Sequence, residues 1–206
     1  MMGAADTAPI ITVHSRADLR AWLADHHGTP GPVWLAAYRK HHPDYLSPEA
    51  ATEELLCWGW INSLPRALDA DRSMILIAPR NPTSAWSAVN KALVAKARAS
   101  GAMTPAGEAK IAVAVANGMW DFLTDVDALI DPPDLTAALA ATGTNGFWQA
   151  LPRSIRRGTL EWIKTAKTAA TRSRRITDVT DNATKGQRPS PFQRQALPFC
   201  KNIPGG

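Results

Sequence analysis

Cysteine is scarce: Cys57 sits inside an apolar run and Cys200 near the carboxy terminus, and these are the only two in 206 residues. That excludes a disulfide framework, and their separation does not suggest zinc ligation. No apolar run approaches the length that crosses a bilayer, and the opening Met-Met-Gly-Ala-Ala-Asp lacks the basic flank and apolar stretch of a secretory signal. The expected address is therefore the cytoplasm. Histidine is missing from most of the chain, because all five (His14, His26, His27, His41 and His42) precede residue 43. The doublets His26-His27 and His41-His42 have no Cys or carboxylate beside them at ligand spacing, and adjacent side chains point apart. No metal site and no cofactor are expected.

What is present is ordinary for a globular chain: 45% apolar and 20% charged residues, with eight tryptophans. Disorder throughout is excluded, and the length suits one core with a tail. The net charge of +5 conceals an asymmetry. Residues 1–149 carry 11 Lys/Arg against 15 Asp/Glu, a net −4, whereas residues 150–206 carry 12 against 3, a net +9. The basic character belongs to the last quarter.

Along the chain, residues 1–9 read as a flexible leader before a β-prone run, Ile10 to Val13. Ser15 with Asp18 three residues on marks a helix start close to a capping box, with Leu19, Trp22 and Leu23 on its apolar face. Val33 to Tyr38, between Gly-Pro and a polar turn, predicts a strand. Ser47-Pro48 opens a helix with Glu49, Glu53 and Glu54 placed early in it. Met74 to Ala78 predicts a buried strand. A helix is expected from Ser84 to Ser100, with Trp86, Val89, Leu93 and Val94 inward, and others open at Thr104-Pro105 and at Pro132 or Pro133. From Pro152 the chain is helical and basic, a hairpin or one bent helix, with Ile155, Trp162, Ala166 and Ala169 on one stripe and Ile176, Val179 and Ala183 continuing after a break. The expectation is an α+β fold: a mainly helical single domain over residues 10–185, with a small sheet of about three short strands and a basic helical region at 152–185. Residues 186–206, rich in Pro, Gly and polar residues without period, read as a flexible tail.

Four blocks stand out: Leu55-Leu56-Cys57-Trp58-Gly59-Trp60-Ile61-Asn62-Ser63, then Pro79-Arg80 through Ser84-Ala85-Trp86-Ser87 to Asn90, then Gly101-Ala102-Met103 to Gly107, and Ala166-Lys167 through Thr171-Arg172 to Arg175-Ile176. In order and spacing over about residues 15–185 they resemble the YdeI/OmpD-associated (bacteriocin-protection) family. The resemblance implies a protective role and no established reaction. Asn62 stands where that family usually carries Asp, and Ala170 where Glu commonly precedes Thr-Arg, so no acid–base role is carried over at either position.

The residues themselves suggest a pocket. Ser84 is read as capping a helix whose free amides, together with the Arg80 guanidinium, favour an anion. Trp58, Trp60 and Trp86 offer apolar walls with one donor each. Asn62, Ser87 and Asn90 complete the expected ligand-binding set. The leading expectation is a resistance-type protein that binds a small amphipathic or anionic ligand, which includes peptide-like molecules, in a Trp-lined pocket. The enzyme alternative places a reaction on a carboxylate-bearing or acyl substrate at the same pocket, with Cys57 or Ser87 as nucleophile; Cys57 reads more readily as a buried, inert thiol. The third reading is a nucleic-acid regulator using the basic surface of Arg153, Arg156, Arg157, Lys164, Lys167, Arg172, Arg174 and Arg175. It ranks lower because no helix-turn-helix, zinc module or aromatic-rich surface accompanies the charge. Membrane binding ranks lower still, with Trp162 as the single aromatic anchor, and oligomeric state is not legible.

Overall fold

A computed structural model describes residues 5–193. The fold is α+β, and the chain divides into two compact units, one up to Thr124 and one from Asp125 on. Cys200 and residues 194–206 of the expected tail, like residues 1–4 of the expected leader, lie outside the described residues.

The first unit holds a four-stranded sheet in the order β1-β2-β4-β3. Strands β1 (Ile10–Val13) and β2 (Val33–Tyr38) are parallel and joined through helix α1 (Arg16–His26). Strands β3 (Trp60–Ala67) and β4 (Arg72–Pro79) form an antiparallel hairpin, and β4 also pairs antiparallel with β2. The hairpin turn is set by Asp69, whose carboxylate accepts the amides of Asp71 (3.1 Å) and Arg72 (2.7 Å). The sheet thus has one strand more than expected. β3 escapes a sequence reading because it is an edge strand that is largely exposed, carries Pro65 and shifts register between Asn62 and Pro65.

Helix α1 starts as its sequence dictates: Ser15 Oγ accepts the Asp18 amide at 3.1 Å, and the Asp18 carboxylate accepts the His14 amide at 3.0 Å. Helix α2 (Pro48–Cys57) is capped by Ser47 with Pro48 in its first turn. Both helices lie on the sheet face formed by Val13, Val33, Leu35 and Ile77, and Leu19, Leu23 and Leu55 are fully buried against it. Glu53 and Glu54, expected early in α2, fall in its later half and are buried.

Helix α3 (Ala88–Ala99) begins four residues later than expected, with Ser87 as its cap in place of Ser84. The Asn81 side chain accepts the Thr83 amide at 2.9 Å, and the Ser84 amide reaches the Asn81 carbonyl at 2.9 Å, so this turn takes the segment that Ser84 was to cap. Val89, expected inward, is 68% exposed, whereas Leu93 and Val94 are buried. Helix α4 (Pro105–Ala116) begins at Thr104-Pro105 as expected. Trp86, Leu56, Val94 and Ile111 make a second core cluster.

The second unit is helical: α5 (Thr124–Asp127) leads into α6 (Pro133–Ala141), α7 (Asn145–Ala150), α8 (Arg153–Lys164) and α9 (Ala169–Thr184). The break between α8 and α9 is capped by Thr168, which accepts the Thr171 amide at 3.1 Å, so the region is two helices. The buried stripe of α8 is Thr159, Leu160 and Ile163; Ile155 and Trp162 are only half-buried and Ala169 is exposed. In α9, Ile176, Val179 and Ala183 are buried as expected.

The stretch read as the start of a flexible tail is ordered through residue 193. Ser190 donates its amide to Asp178 at 2.9 Å, Gln193 donates to Asn182 at 2.8 Å, and the Phe192 ring lies where a Cβ on Gly158 would meet it at 2.7 Å. The leader is likewise held: the Ala5 carbonyl accepts Trp34 Nε1 at 2.8 Å.

Candidate functional site

Where α2 crosses the sheet, the residues that face one another become small. Ala37 of β2 pairs with Ser73 of β4, and Ala51 of α2 lies opposite. Larger neighbours, Leu35, Leu55 and Ile75, hold helix and sheet apart, so a space is left that close packing would otherwise fill. It is a cavity of about 280 Å³, apolar over most of its wall. Its rim is the segment after β2. Tyr38 bridges to Tyr45, and the Tyr38 ring stacks on His42 with centroids 3.9 Å apart. The few polar groups in the wall include Ser73, Asn62 and Arg39. Asn62 Nδ2 donates to Thr52 Oγ1 at 2.9 Å. The Arg39 guanidinium is different: its Nε is buried and, among the described residues, it has no hydrogen-bond partner. A largely apolar chamber lined by an arginine whose Nε is buried and unpartnered suits a ligand with an apolar body and an anionic head.

Of the eight residues expected to bind ligand, only Asn62 lines this cavity. Trp60 is core, its Nε1 donating to the His27 carbonyl at 3.0 Å and its ring edge-on to Trp22. Trp58 is half-buried beneath Arg20, and its Nε1 donates to Glu54 at 3.3 Å. Ser84 lies in the Asn81 turn, while Ser87 and Asn90 form the α3 cap, with 3.3 Å from Asn90 N to Ser87 Oγ. Arg80 and Trp86 stand together elsewhere: both are buried, and the guanidinium lies 3.8 Å from the Trp86 ring centroid. They border a separate small cavity of about 40 Å³. The expected single Trp-lined pocket is thus dispersed over two core clusters and two cavities.

Sequence reading missed Tyr38, Arg39 and Tyr45. Their only signal is an aromatic-rich polar stretch between a strand and a capped helix. It also missed the role of two acids. Glu53 and Glu54 lie buried between α1, α2 and α3, held by Arg16 (2.9 and 2.8 Å), Arg20 (2.7 Å) and Lys96 (2.8 Å). Each buried carboxylate is matched by cations, as burial of charge requires.

Cys57 is fully buried, and burial together with the nearby Glu54 charge pushes its thiol up to about 11. It is therefore a thiol near neutral pH and offers no nucleophile. Among the described residues, no group of three His, Cys, Asp or Glu side chains is placed to hold a metal ion, and no helix is long and apolar enough to cross a membrane. His14 and His41 instead meet single acids, Asp44 and Asp71, each at 3.0 Å.

The basic segment is largely engaged within its own unit. Arg156 meets Asp131 at 3.4 Å, Arg157 meets Asp127 and Glu161 at 2.7 Å each, Lys164 meets Asp125 at 2.5 Å and Arg172 meets Asp134 at 2.6 Å. Arg153 donates to the Asp127 carbonyl at 2.7 Å, and Arg175 donates to the Trp162 carbonyl and stacks over that indole. Lys167 is exposed. The charge that suggested phosphate contacts thus serves mainly to fix α8 and α9 to the aspartates at 125–134.

These features define a two-unit α+β protein whose amino-terminal unit encloses an apolar cavity. Residues 128–186 match the family described as Bacteriocin-protection, YdeI or OmpD-Associated. Residues 11–110, which carry the first three sequence blocks and the cavity under α2, match a different family, described as Domain of unknown function (DUF8412). Comparison with curated proteins and with solved structures gave no match.

Proposed function

We propose that this is a protection-type binding protein that holds a small, largely apolar anion in the cavity between α2 and the sheet. The observation that supports this reading is the buried Arg39 Nε, without a partner among the described residues, in a largely apolar wall. A bound carboxylate or similar head supplies the missing partner of that donor, and its apolar body covers Leu35, Ala51 and Ile75. Short peptides ending in a free carboxylate belong to the same chemical class. The protective role follows the description of the family matched by residues 128–186, and the cavity lies outside that segment.

The test begins with native mass spectrometry of freshly purified protein, which reads any mass lost on denaturation. Binding of 8-anilinonaphthalene-1-sulfonate and its displacement by medium-chain alkyl carboxylates then follow by fluorescence. Arg39→Gln is expected to weaken the anions at least tenfold, and Ala51→Phe to block them by filling the space. Unchanged binding in both variants overturns the reading.

A further inference from the structure

Arg80 is 3% exposed, yet among the described residues its guanidinium makes one hydrogen bond, from Nη2 to the Ala85 carbonyl at 2.5 Å. Its Nε and Nη1 are buried and, among the described residues, have no hydrogen-bond partner. The Trp86 face beneath it offers a quadrupole, which offsets part of the lost hydration without neutralising a full charge. Among the described residues no carboxylate forms an ion pair with Arg80, in contrast to the matched acids and bases around Glu53 and Glu54. Burial alone pushes Arg80 down to about 10, with no acid opposing it.

A second basic residue borders the same space. Lys110 of α4 lines the 40 Å³ cavity with Arg80, Asn81 and Trp86, and no acid stands in that wall. The backbone prepares this approach. Gly59, at a φ of +73°, has the Lys110 stem so close that a Cβ would sit 2.5 Å from Cγ. The Gly59 carbonyl in turn accepts the Arg80 amide at 2.9 Å, so one glycine brings the two cation-bearing segments together. A space of this size holds a few water-sized groups and no large organic body.

We propose that Arg80 and Lys110 form a site for a small monovalent anion of halide size, independent of the cavity under α2. The anion completes the coordination of Arg80 and locks the start of β4's downstream turn to α4. An isolated buried cation is costly, and a bound counter-ion is the direct way to offset it.

The test is thermal unfolding of the full chain in chloride, bromide or nitrate, at ionic strength held constant with gluconate, which is too large for the space. Wild type is expected to gain stability saturably with the small anions, as linkage requires for a ligand of the folded state. Arg80→Met is expected to abolish the dependence, and Lys110→Met, at a half-buried position, to weaken the midpoint severalfold. Crystals soaked in bromide are expected to show an anomalous peak within hydrogen-bond distance of Arg80. No saturable effect in wild type, an unchanged midpoint in Lys110→Met, or water in place of bromide beside Arg80 overturns the proposal. None of these outcomes bears on Arg39, so the two sites stand or fall separately.

Discussion

Gly107 of α4 lies against the carbonyl of Cys57 at the end of α2, so closely that a Cβ on Gly107 would sit 2.4 Å from that oxygen. The Leu56 carbonyl is 2.7 Å from the same point, and Thr104 Oγ1 donates to the Cys57 carbonyl at 2.6 Å. The two helix ends are therefore joined backbone to backbone. Gly107→Ala is expected to destabilise the fold by about 1–3 kcal/mol through overpacking. Gly146→Ala, at a helical position with nothing within 4 Å of its Cβ, is expected to be neutral or stabilising. Urea unfolding of both variants checks the contrast.

The start of α3 gives a second test. Ser87 Oγ accepts the Asn90 amide, whereas Ser84 belongs to the turn ahead of it. Ser87→Ala is expected to lose about 1 kcal/mol and Ser84→Ala much less. Equal losses in thermal or urea unfolding would place the helix start where the sequence alone suggests.

Much of the fold was legible because it rests on local chemistry. Ser15, Ser47 and Thr104 each precede a helix and each caps it. The failures have physical causes. β3 is largely exposed beyond Asn62, has no clean polar–apolar alternation and contains Pro65, so only its pairing with β4 reveals it as a strand. The cavity depends on Ala37, Ser73 and Ala51 meeting from three elements, and small residues scattered in sequence carry no signal of a shared void. Tryptophan misled for the opposite reason: Trp60 and Trp86 are conspicuous in sequence, yet their large area is spent in the core. Arg80 was recognisable as important, but its burial without an acid became visible only when its neighbours were placed.

Cys57 provides a chemical check. A fully buried thiol raised to about 11 reacts slowly in the native state, because both exposure and thiolate fraction are small. In a Cys200→Ser background, alkylation by iodoacetamide at pH 8 is expected only after denaturation. Native labelling within minutes would reopen a nucleophilic role for this residue.

The buried acids predict how stability changes with pH. Glu53 is 2% exposed. Burial by itself raises its pKa, but hydrogen bonds and charge from Lys96 and Arg16 outweigh that and leave it below the ordinary 4.5. A carboxylate whose folded pKa is depressed contributes stability above its unfolded value and loses it as pH falls through the folded one. Asp125, held by Lys164, and Asp134, held by Arg172, are lowered in the same direction. The melting temperature is therefore expected to hold from pH 7 to about 5 and to fall below about 4. Glu53→Gln is expected to melt lower than wild type at pH 7, because Lys96 and Arg16 lose their shared counter-charge, and to show a shallower fall on acidification. Parallel pH curves for the two proteins would mean that protonation of other groups controls the acid transition.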